Sequence, residues 1–115
     1  MRSPALMEKQ LRAALVRPGT RLRVSELNGD TLAWIEYEGQ RYDVTLDPFR
    51  GGLIECTIHE LIHAVYKNDL RVWGKLEETI VLAVEKPVVE RVNIDPTRVR
   101  WWRANISAKL DGEDD

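Results

Sequence analysis

The chain has 115 residues, of which 43% are apolar and 31% charged, and carries a formal net charge of -2. That length suits one small domain around one core, and so balanced a charge gives no reason to expect nucleic acid as the principal partner. The single cysteine, Cys56, excludes an internal disulfide, and no apolar run approaches the length of a membrane span.

At the N-terminus Glu8, Lys9 and Arg12 interrupt the apolar run that a secretory leader needs, so the expected location is the cytoplasm. The stretch PALMEKQLRAALVR instead predicts an amphipathic helix, with Pro4 in the first turn and Leu6 or Met7, Leu11, Ala14 and Leu15 on the apolar side. Residues 20–47 then alternate: Leu22, Val24 and Leu27, an Asn28-Gly29 turn, Leu32, Trp34 or Ile35 and Tyr37, then Tyr42, Val44 and Leu46 after Gly39. This pattern predicts a meander of about three strands. Pro48, Gly51 and Gly52 break it, and helical spacing returns at Ile54, Ile58, Leu61, Ile62 and Val65, ending near Asn68 and Asp69. A third helix is predicted in WGKLEETIVLAVEKPVV, largely buried because residues 79–84 are apolar on nearly every side. The last helix takes Asp95 as its cap and Pro96 in its first turn, with Val99, Trp102, Ile106 and Leu110 as the stripe. The expected fold class is therefore α+β: an N-terminal helix, a small antiparallel three-stranded sheet, and three further helices. Residues 1–110 form the expected domain, and the acidic residues 111–115 an expected disordered tail.

The second helix contains the chain's only histidines, in TIHELIHAVY. His59 and His63 are one turn apart on one face, and Glu60 precedes His63 by three, so all three side chains can point into one cleft. Two imidazoles at this spacing reach one zinc ion, while a carboxylate that is not a ligand takes a proton from the water that the metal activates. A helix can carry histidines for no such reason. Two residues scattered over a chain of this length fall four apart in only roughly 2% of arrangements, before the glutamate is required, which favours the metal site.

Zinc needs a third protein ligand and an open fourth position. Asp69 stands six after His63, where the longer HExxHxxGxxH/D signature of metzincins has its last ligand. That signature wants a glycine at position 66, where this chain has Tyr66, and a methionine downstream, whereas Met1 and Met7 are upstream. The competing candidates are Glu77 and Glu78, carboxylates opening an otherwise apolar helix, where they also suit a helix N-terminus for its own sake.

With IHELIHAVY followed by LEETIVLAVEKP, the chain resembles the gluzincins, which carry HExxH on one helix and a glutamate ligand on the next. It is most similar to the very small gluzincins and to the ImmA/IrrE-type and phage-encoded metallopeptidases, whose glutamate helix commonly reads EANxFAxELLxP. On that pattern Glu78 takes the ligand position, Ala83 and Glu85 match, Leu82 replaces the aromatic residue, Thr79 and Ile80 replace Ala-Asn, and Pro87 comes slightly early. The resemblance covers about residues 42–90 and rests chiefly on HExxH. It implies a zincin-like fold whose antiparallel sheet lines the cleft, and a zinc-dependent hydrolase of peptide or protein substrates with Glu60 as general base and His59, His63 and Glu78 as ligands. Larger gluzincins supply an oxyanion donor from a second lobe; here Tyr37, Tyr42 and Tyr66 are the phenols available and none is assigned. Without that lobe, weak or latent activity is expected.

The competing reading is a non-enzymatic zinc-containing module that binds a protein or nucleic acid through a basic N-terminal segment with Arg2, Lys9, Arg12, Arg17, Arg21 and Arg23, together with Arg98, Arg100 and Arg103 around Trp101 and Trp102. Trp101 and Trp102 also make a second copy of the chain an expected partner. No membrane partner is expected.

Overall fold

A computed structural model describes residues 3–24, 33–38, 41–46 and 52–111. The Asn28-Gly29 turn, the break at Pro48 and Gly51 and residues 112–115 of the expected tail lie outside the described residues. The elements run α1 (Pro4–Val16), β1 (Thr20–Val24), β2 (Ala33–Glu38), β3 (Arg41–Leu46), α2 (Leu53–Val65), α3 (Lys67–Leu70), a 3-10 segment (Arg71–Leu76), α4 (Glu77–Asn93) and α5 (Pro96–Asp111).

The expected α+β fold with an antiparallel three-stranded sheet is not what the chain forms. Helix predominates over strand among the described residues. The three short strands make a mixed ladder in the order β1-β3-β2, with β1 parallel to β3 and only β2 antiparallel to it. The alternation of side chains marks each strand but carries no information about which neighbour it joins. A meander would have set β1 beside β2; instead β3 lies between them. Leu22 and Val44 are register partners across β1 and β3, and both are fully buried, so that face of the ladder belongs to the core.

α1 and α5 form where apolar spacing and helix ends agree. Ser3 caps α1 by accepting from the Leu6 amide at 3.2 Å, and Pro4 occupies the first turn, where its missing N–H costs nothing. Met7, Leu11, Ala14 and Leu15 are buried, while Leu6 faces solvent. Asp95 accepts from the Thr97 amide at 2.9 Å and opens α5. Between α3 and α4, Gly74 adopts φ 53, a left-handed conformation that favours glycine, and the chain turns there before α4 starts at Glu77.

α4 departs from the expectation of broad burial. Val81, Val88 and Val92 form a buried stripe, but Leu82 is 51% exposed. The helix packs on α1, α2 and α5 through one side only, and apolar residues on its other side remain in water.

One carboxylate joins three helices. Glu8 of α1 is 3% exposed and accepts from Arg12 Nε and Nη2 (3.1 and 2.9 Å), Arg91 Nε (3.0 Å), Arg98 Nε (2.9 Å) and Trp102 Nε1 (3.2 Å). Burial alone pushes the Glu8 carboxyl up, but the hydrogen bonds from Arg98, Trp102 and Arg12 outweigh it and hold its pKa below the usual carboxylate range. Trp102 is fully buried against this group, and the Arg12 guanidinium lies 4.4 Å over the Trp101 ring. Trp102 is thus turned inward and Arg12 and Arg98 are partly engaged, while Arg100 and Arg103 are exposed.

Candidate metal centre

α2 carries the site because its two sides differ. Ile58, Leu61 and Ile62 are buried in the core, whereas His59 and His63, on the adjoining face, keep 17% and 13% of their side chains accessible. The two rings meet edge to face with centroids 5.0 Å apart, and their Nε2 atoms approach to 3.3 Å. His59, Glu60 and His63 form a group whose ligand atoms lie within 4.8 Å of one another and which could hold a metal ion.

The first residues of α4 close on this group. Glu78 reaches both histidines, with Oε1 2.7 Å from His59 Nε2 and Oε2 3.1 Å from His63 Nε2. Its own side chain is 59% exposed, so it approaches from the solvent side. The opposite ring nitrogens are also met by carboxylates: His59 Nδ1 lies 2.8 Å from Glu85 Oε2, and His63 Nδ1 lies 2.6 Å from Glu77 Oε2. Glu60 stands apart from this set. Its nearest oxygen is 3.9 Å from His59 Nε2, too far for a hydrogen bond, and the residue is 6% exposed.

The donor set requires positive charge at the centre. An ionised carboxylate only accepts, so Glu85 and Glu77 require N–H groups at both Nδ1 atoms. An imidazole that is neutral then presents a lone pair at Nε2. Two such lone pairs and two Glu78 oxygens converge within 2.7–3.3 Å, a repulsive arrangement unless positive charge lies among them. A bound cation supplies that charge; so do protons. Burial works against a charged His59, but the Glu85 hydrogen bond and the charges of Glu78, Glu85 and Glu60 outweigh it, so its pKa is raised. Glu60 is raised as well, first by burial and then by Glu78 and Glu85, against the pull of His59 and His63.

Of the residues singled out in the sequence, His59, Glu60, His63, Glu77 and Glu78 come together. Asp69 lies exposed on α3, and the carboxylates at the ring nitrogens are instead those of α4. Tyr66 is buried and its hydroxyl hydrogen-bonds Gln10 of α1, which gives that phenol a packing role. Cys56 is buried one turn before His59. Glu85 was not among the candidate site residues, although its spacing of seven from Glu78, two helical turns, marks it as sharing that face of α4. No family model matches the chain, and neither the curated proteins nor the solved structures contain a match to it. Among the described residues no helix is long and apolar enough to cross a membrane.

Proposed function

We propose that the protein is a zinc-dependent hydrolase of peptide bonds in peptides or proteins, with His59, His63 and Glu78 as ligands and Glu60 as general base. The single observation that carries this reading is the convergence of both Nε2 atoms on the Glu78 carboxylate with Glu60 beside them and uncommitted to either ring. Two nitrogens bound at the usual zinc distance in a tetrahedral site stand about 3.3 Å apart, and that is the separation of His59 and His63 Nε2. Two nitrogens and one oxygen suit zinc better than calcium or magnesium, which prefer oxygen alone.

A bound zinc ion makes water acidic near neutral pH and polarises a carbonyl. The protein's own part is the proton. Glu60, buried and with its pKa raised, takes a proton from the attacking water as the water's oxygen joins the carbonyl carbon. It then gives that proton to the amide nitrogen as the C–N bond breaks, so that a carboxylic acid and an amine leave. Exposure of Glu78 on the outer side of the pair supports an accessible site, since a substrate has to reach it.

Glu60→Gln keeps the shape and removes the base. Zinc content unchanged with peptide cleavage reduced by at least about 10²-fold is the expected result. Cleavage at the parental rate in that variant excludes Glu60 as the base. The arginine-binding alternative is less well supported, because two of its arginines, Arg12 and Arg98, spend part of their guanidinium on Glu8.

A further inference from the structure

α4 brings three carboxylates to α2, and they divide between two kinds of position. Glu78 meets the Nε2 side of both rings, while Glu85 and Glu77 meet the Nδ1 side of one ring each. The division follows from helix geometry. The contacts pair His63 with Glu77 and Glu78 and pair His59 with Glu85, so the two helices run in opposite senses past each other. Two turns of α4 separate Glu78 from Glu85 and keep both on one face, so Glu85 reaches the earlier histidine. Glu77 is rotated about 100° from Glu78 around the helix and approaches His63 from its other edge.

We infer that Glu85 and Glu77 are positioning residues, each accepting the Nδ1 proton of one histidine and thereby fixing the tautomer and ring orientation that leave Nε2 for a metal ion. The inference rests on the proposed zinc site and adds to it that α2 and α4 alone contain both the ligands and the groups that orient them. An imidazole hydrogen-bonded to a carboxylate through one nitrogen is a stronger ligand through the other, and its ring no longer has to be immobilised when metal arrives. Glu85 is the stricter test of the two. Its side chain is 19% exposed and lies seven residues from Glu78, whereas Glu77 is 37% exposed and adjoins that ligand in the chain. Ordinary helix stapling would also bring Glu85 to His59, but it would make the pair a matter of stability and not of metal affinity.

The experiment uses the full chain, with zinc titrated against a competing chelator for the parent, Glu85→Gln, Glu85→Ala and His59→Ala, and with thermal unfolding of each protein after metal removal. Zinc affinity is expected to fall roughly 10- to 100-fold in Glu85→Ala and by less in Glu85→Gln, which still accepts a hydrogen bond, with the metal-free melting temperatures nearly unchanged. Parental affinity in both Glu85 variants, alongside loss of binding in His59→Ala, overturns the positioning role and leaves the zinc site intact. Parental affinity in His59→Ala as well overturns the zinc site itself.

Discussion

The Nε2 atoms of His59 and His63 stand 3.3 Å apart, closer than two lone pairs would rest with nothing positive between them. About one zinc ion per chain is the expected content. His63→Ala should lose it, because one imidazole and one carboxylate remain where two imidazoles and a carboxylate are needed. Metal analysis after gentle purification measures both, and unchanged zinc in His63→Ala would rule out this ligand set.

The third ligand can be ranked by three single substitutions. Glu78→Ala should weaken zinc binding most, since among the described residues Glu78 is the carboxylate that touches both Nε2 atoms. Glu77→Ala should weaken it less, acting through His63 Nδ1. Asp69→Ala should bind as the parent does. A large loss at Asp69 alone would reverse the assignment.

Glu8 makes stability depend on pH in a definite direction. Its pKa is lowered on folding, so its contribution is fully present above the unfolded value, near pH 4, and is lost as pH falls through the folded value. Glu8→Gln should cost about 3 kcal/mol at neutral pH, the lower end of the usual cost of breaking a buried ion pair, because the three arginines are partly hydrated and recover some solvation. Denaturant melts at several pH values should show the gap between parent and variant closing below about pH 4. A gap that stays constant to pH 2 would contradict the depressed carboxyl.

Adjacent positions on α4 should respond in opposite ways to polar substitution. Val81 is fully buried and Leu82 is 51% exposed. Leu82→Lys should change stability by no more than about 0.5 kcal/mol, while Val81→Lys should unfold the domain or cost more than about 3 kcal/mol. Chemical denaturation of the two variants measures the contrast.

The helices were legible because they carry two signals at once, a period and an end. Pro4, Asp95 and Pro96 set ends that agree with the apolar stripes of α1 and α5. The strands carried a period and turn signals at Asn28-Gly29 and Gly39; the turn signals suggested that each strand pairs with the next, and a period does not encode neighbours, so the parallel pairing of β1 with β3 could not be read. Burial along α4 was misread for a related reason. A run apolar on every side does not say which side meets the core, and Val81, Val88 and Val92 settle that only after α1, α2 and α5 are packed against them. At the site, HExxH was legible from spacing within one helix. The role of Glu85 was not, since it depends on how α4 lies against α2, a relationship between helices that no local pattern records.

α4 is held at its two ends by different chemistry, and this divides it mechanically. Its first residues, together with Glu85, answer to the histidines, while Arg91 near its end answers to Glu8. Between them Pro87 lies inside the helix and removes one rung of the backbone ladder. The two halves are expected to open separately. If zinc binds as proposed, its chelation should speed deuterium exchange at the backbone amides of residues 78–86 while those of residues 88–93, tied to the ion cluster, keep their protection.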